Sequence, residues 1–104
     1  MLNRKRPESI NTDLTISGLG DKFTVNVTYR NVTQDEWDEL MTTKKADGTA
    51  YTNAEFLERT VLKFNDTEKP TAEDFAAVNN EWPGILFALI RGFSDARVVN
   101  LEKN

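Results

Sequence analysis

Carboxylates are the only side chains in this sequence whose types and clustering could support acid–base or metal chemistry, because the chain contains neither cysteine nor histidine. Their absence removes Ser-His-Asp and Cys-His nucleophiles, disulfides, thiolate centres and imidazole-based zinc sites. The densest acidic group is Asp35, Glu36, Asp38 and Glu39. Carboxylates so placed could hold a hard cation or flank a glycosidic bond. Neighbours in a helix point to different faces, however, and acids in a first turn suit the helix dipole, so the cluster reads as a solvated capping group. Gly18 and Gly20 follow a candidate strand but lack the third glycine and the helix start of a dinucleotide loop, and they mark a turn. Arg91 and Arg97 could meet a phosphate, yet Asp95 lies between them, as expected of ordinary surface charges. Trp37 and Trp82 sit on apolar stripes at helical spacing, where an aromatic anchors a core. No catalytic residue, metal ligand or cofactor is expected.

The elements that must position these residues follow from composition and period. A chain of 104 residues with 38% hydrophobic and 29% charged residues is sized for one domain with its own core. No apolar run approaches the roughly 20 residues of a membrane-spanning helix, and Met1–Pro7 lacks the apolar segment of a signal peptide. The net charge is −4, from 13 basic and 17 acidic residues. Arg4, Lys5 and Arg6 are concentrated in the first seven residues, which leaves 10 basic against 17 acidic on the remainder. A nucleic-acid surface is therefore disfavoured. Residues 1–11 read as a flexible basic arm, 12–100 as a single domain and 101–104 as a frayed tail.

Leu14 and Ile16, then Phe23, Val25, Val27 and Tyr29, alternate with polar residues around Gly18-Leu19-Gly20-Asp21, which predicts a β-hairpin. Thr33-Gln34-Asp35-Glu36, Thr52-Asn53-Ala54-Glu55 and Thr71-Ala72-Glu73-Asp74 each carry the capping-box signature of a helix start. The helices after them place Trp37, Leu40 and Met41, then Phe56, Leu57, Thr60, Val61 and Phe64, then Phe75, Val78 and Trp82 on single faces. Residues 44–51, with Asp47-Gly48, and 65–70 read as loops. A fourth helix is predicted from Pro83 to about Val98, with Ile85, Leu86, Leu89, Ile90 and Phe93 as its apolar stripe. Small Ala88, Gly92 and Ala96 allow close approach. The fold class is thus α+β, mainly α: an N-terminal hairpin packed on about four short helices. Its expected core is Phe23, Val27, Trp37, Leu40, Phe56, Val61, Phe75, Leu86, Leu89 and Ile90.

The C-terminal third, with Thr71-Ala72-Glu73-Asp74-Phe75, Trp82-Pro83-Gly84 leading into Ile85–Phe93, and Ala96-Arg97 before Asn100, resembles the tail assembly chaperones of long-tailed bacteriophages. Upstream, the short β segment, Glu36-Trp37-x-x-Leu40 and Phe56 to Phe64 extend the likeness to residues 12–100. The resemblance implies a small non-enzymatic protein of the host cytoplasm that binds the tape measure protein, aids tail tube assembly and is absent from the mature virion. It also implies the tail tube protein as a partner, and in this family a longer form, often made by a −1 frameshift, is a route to it. Glu102-Lys103-Asn104 can be encoded by a string containing the slippery heptamer A AAA AAY. The alternatives are a structural tail or neck component, or an antidote module that binds a host protein. Self-association is a further possibility; nucleic acid and membrane are not expected partners.

Within the fourth helix, Phe87 points about 100° away from the stripe centred on Leu86, beside Ser94, Val98 and Arg91. Either a wide core reaches Phe87, or Phe87 and Val98 form an exposed apolar patch for another chain. The candidate partner-binding residues are Phe87, Arg91, Val98, Trp82 and Phe93.

Overall fold

The structure, a computed structural model, describes residues 1–101. Helix outweighs strand, 39% against 26%, and the domain is α+β and mainly helical. The period-two alternation builds β1 (Ser9–Gly18) and β2 (Asp21–Arg30), which pair without interruption from Ser9 opposite Arg30 to Gly18 opposite Asp21. At the tip, Leu19 and Gly20 take φ of 53° and 75°, as a two-residue turn with two left-handed positions requires. β1 begins three residues inside the expected arm. Ile10 opposite Tyr29 prolongs the inward face, and the Asn11 amide donates to Asn26 Oδ1 (2.9 Å) and Thr28 Oγ1 (2.7 Å) on the other face.

All three capping boxes form. Thr33, Thr52 and Thr71 accept the backbone N–H of Glu36, Glu55 and Asp74, whose carboxylates return to the threonine N–H. They start α1 (Gln34–Thr42), α2 (Asn53–Thr60) and α3 (Ala72–Glu81). The Lys44–Tyr51 loop turns at Gly48, whose φ is 85°, with Asp47 Oδ1 accepting the Thr49 N–H at 3.0 Å.

The second helix is shorter than its apolar spacing suggests. It stops at Thr60, and Val61–Phe64 forms a strand, β3, followed by a tight turn and β4 (Thr67–Glu68), where a loop was expected. The cause is tertiary: the free edge of β2 lies alongside, so Val27 pairs with Phe64, Thr28 with Lys63 and Tyr29 with Val61, leaving Leu62 as a bulge. Once that edge is available, β-branched Val61 suits a strand better than a helix. Asn65, at φ 49°, extends the pairing: its N–H donates to Asn26 O (2.8 Å) and its Oδ1 accepts from Asn26 N (2.9 Å). The result is an antiparallel sheet in the order β1-β2-β3-β4, not a lone hairpin.

The last helix, α4, spans Ile85–Ala96. Pro83 is not its first residue, and Val98 lies beyond its end. Trp82 O accepts the Ile85 N–H at 3.0 Å, and Gly84 has φ 95° and ψ −8°. Pro83 and Gly84 are therefore the two central residues of a type II turn. The orphan N–H groups of the new helix are met from α3, where Asn79 Oδ1 accepts from Gly84 N at 3.1 Å and lies 3.5 Å from Leu86 N.

The helices cover the face of the sheet that carries Ile16, Val25, Val27 and Tyr29; Asn11, Asp13, Thr15 and Ser17 are exposed on the other. Of the expected core, Val27, Leu40, Phe56, Val61, Phe75, Leu86 and Leu89 are buried, while Phe23, Trp37 and Ile90 pack half-buried at its margin. α4 lies close on the sheet at Gly92. A methyl group there would come within 2.6 Å of Leu14 Cδ1 and 2.9 Å of the Tyr29 hydroxyl. That hydroxyl donates to Leu89 O at 2.7 Å, and burial pushes the phenol well above its ordinary pKa.

Candidate functional site

The helical period of α4 separates its side chains into two opposed sets. Ile85, Leu86, Leu89, Gly92 and Phe93 are buried toward the sheet. Phe87 and Arg91 point the other way, and Phe87 is 70% exposed; Val98, past the end of the helix, is 46% exposed. A core wide enough to reach Phe87 is not built, because α4 is the outer layer over the sheet and, among the described residues, no further element covers its back. Arg91, one turn after Phe87, sits 3.8 Å from Asp95 in an exposed i,i+4 pair. The helical period therefore does not hold Phe87 and Val98 on one face.

Phe93 cannot belong to that face. It is fully buried, with ring centroids of Tyr29, Trp37 and Phe56 at 5.4, 5.5 and 5.9 Å. It is the hub of an aromatic core because α1, α2 and β2 converge on this one position of α4. Trp82 is half-buried, edge to face with Phe23 at 4.9 Å. It closes the core at the α3–α4 turn and offers only a margin to solvent.

Beside Phe87, one helical step around α4, Ile90 lines a cleft of about 240 Å³ between α1, α2 and α4. Leu40, Met41, Tyr51 and Phe56 line it as well, and Met41 is 49% exposed. The cleft brings together residues far apart in sequence. Nothing in the periodicity of α1 or of the Lys44–Tyr51 loop announces it, although Met41 at the edge of its stripe was a weak signal. At the α2 start Lys45 Nζ meets Glu55 Oε2 at 2.7 Å. The hydrogen bond from Lys45, then that from Thr52 N, holds the Glu55 carboxyl below its ordinary pKa, and the same Glu55 contact raises Lys45. At the other end Arg97 stacks 4.2 Å from the Trp37 ring centroid and donates to Gln34 Oε1 at 3.1 Å, tying the end of α4 to α1.

The acidic cluster on α1 is divided among separate local tasks. Glu36 caps the helix and lies 3.9 Å from Arg30, and Asp38 accepts from Gln34 Nε2 at 3.0 Å. The backbone N–H of Thr33, first, lowers the Glu36 pKa. Among the described residues no three Asp or Glu side chains converge as a metal site would need. None of the described helices is long and apolar enough to cross a membrane. Glu102-Lys103-Asn104, where a slippery heptamer could be encoded, lies outside the described residues. What the arrangement offers chemically is a surface: an exposed aromatic on a rigid helix, an adjoining apolar cleft and a charged surround. Comparison of the chain with protein-family models, with curated proteins and with solved structures finds no match.

Proposed function

We propose that this chain is a non-enzymatic protein-binding module, and that it serves as a tail assembly chaperone for the tape measure protein of a long-tailed phage. The observation that carries the binding role is Phe87, a large aromatic held 70% exposed on the back of α4. A solvated Phe on a rigid helix beside an apolar cleft is the kind of anchor that binding surfaces bury. An amphipathic helix lying across Phe87, Ile90 and Met41 would use the helix-in-groove mode. The identity of the partner rests on the resemblance of Trp82–Phe93 and its flanks to the chaperones. That reading also carries action in the host cytoplasm and departure before the virion is complete, with the tail tube protein reached through a longer form.

Co-expression with the tape measure protein tests both parts. The chain should co-purify with it and keep it soluble. Phe87→Ala should reduce capture at least tenfold while leaving the melting temperature nearly unchanged, since the side chain is not in the core. Capture unaffected by Phe87→Ala would remove this face from the proposal. Many copies of the chain in purified virions would overturn the chaperone role in favour of a structural tail component.

A further inference from the structure

The two edges of the sheet are built differently. β4, at one edge, is only two residues long and is followed by Lys69 and Pro70, devices that discourage strand addition. β1, at the other, presents ten residues with no lysine, no proline and no bulge, and Asp13 is its single charge. Among the described residues no other strand lies beside it. Along its C-terminal half runs a cleft of about 170 Å³, whose walls include Ile16, Leu19, Trp82, Pro83 and Ala88. Leu19 at its mouth is 71% exposed. An unguarded edge of this length next to an apolar cleft is suited to strand addition, in which backbone hydrogen bonds provide affinity and alternate side chains fill the pocket.

We propose that the occupant of this edge is β1 of a second copy, paired antiparallel about a two-fold axis at Leu14, so that two sheets join into one. Self-pairing must keep even-numbered, inward residues opposite even-numbered ones, and this register does. Leu14 meets Leu14 of the second copy, and Ile16 meets Thr12. On the polar face Asp13 falls opposite Thr15, and Asn11 opposite Ser17. No like charges oppose each other, whereas moving the axis by one residue to Asp13 would set the two Asp13 carboxylates face to face. Ile10 of the second copy arrives opposite Gly18, where there is open space, next to Leu19 and the cleft. The surface is separate from Phe87, so the assignment does not depend on the tape measure reading.

The register makes the test specific. Thr15 is exposed on the polar face, away from the core. Sedimentation across a concentration series should show a reversible dimer. Thr15→Asp places two like-charge pairs across the axis and should raise Kd roughly two- to thirty-fold. Thr15→Lys places two opposite-charge pairs there and should keep or tighten the dimer at low salt, with the gain lost at high salt. Circular dichroism of both variants checks that the fold is retained. A chain that stays monomeric throughout, or a dimer indifferent to both substitutions, would overturn the proposal. So would a dimer broken by Phe87→Ala but not by Thr15→Asp, which would move self-association to α4.

Discussion

Replacing Gly92 with Ala sets helix propensity against packing. In a helix interior Ala is favoured over Gly by about 1 kcal/mol, so an exposed site would gain stability. At Gly92 the new methyl would sit 2.6 and 2.9 Å from the two Leu14 methyl carbons and 2.9 Å from the Tyr29 hydroxyl. The Leu14 methyls end a flexible side chain and can turn away. The hydroxyl cannot move freely, because it ends a rigid ring buried against Phe93 and is held by its 2.7 Å bond to Leu89 O. Overpacking costs roughly 1–3 kcal/mol, and a buried hydroxyl forced off its acceptor about 1–3 kcal/mol more. The net expectation is a loss of about 1–5 kcal/mol, which lowers the melting temperature by roughly 4–8 °C per kcal/mol in a domain of this size. A double-mutant cycle isolates the cause. Tyr29→Phe alone should cost about 1 kcal/mol, and Gly92→Ala in the Tyr29→Phe background should be milder than in the wild type by at least about 0.5 kcal/mol. Urea unfolding of the four proteins supplies the energies. Additive effects, or a Gly92→Ala variant more stable than the wild type, would refute the claim that the phenol sets the approach of α4 to the sheet.

Asn79→Ala should destabilise by about 0.5–2 kcal/mol, as loss of a cap does, although the residue lies in α3 and serves α4; no change in the melt would show that Gly84 N and Leu86 N are satisfied without it. Phe93→Ala should cost about 3–5 kcal/mol by emptying the aromatic hub, in contrast to a silent Phe87→Ala, and near-equal melts for the two would contradict the division of α4 into buried and exposed faces. Glu36, Glu55 and Asp47 are held below their ordinary pKa values of 4.5, 4.5 and 3.8. Their contribution to stability is therefore complete above those values and is lost as pH falls through the lower folded-state ones, so a melting temperature that is flat on acidification through this range would count against the capping boxes of Glu36 and Glu55 and the Asp47 turn. Tyr29, raised from 10.0 by burial, works in the opposite sense. In a Tyr51→Phe background stability should decline above pH 10.0, and phenolate absorbance should appear only with unfolding; phenolate in the folded protein would place Tyr29 in contact with solvent.

The helix starts were legible because a capping box is made by four consecutive residues, and Thr33, Thr52 and Thr71 each carry the partner three positions on. The β1–β2 hairpin was legible for the same reason, a period of two around a short turn with two left-handed positions. The apolar stripe of α4 was also local, and it placed Phe87 off-axis without deciding whether anything covered it. Burial of Phe93 and exposure of Phe87 depend on how many layers lie on each side of α4, and that is a property of the packed domain. The conversion of Val61–Phe64 from helix to strand shows the limit most plainly. Its Phe56-Thr60-Phe64 spacing satisfies a helix, but the unpaired backbone groups of β2, more than thirty residues earlier at Val27, offer it a ladder of hydrogen bonds. Pro83 likewise satisfies a helix start by itself, yet Asn79 and the close seat of Gly92 on Leu14 and Tyr29 draw the chain into a turn first. Local sequence specifies the conformations a segment can adopt at low cost; which of them is taken depends on the hydrogen-bond partners and apolar surface that distant segments bring against it.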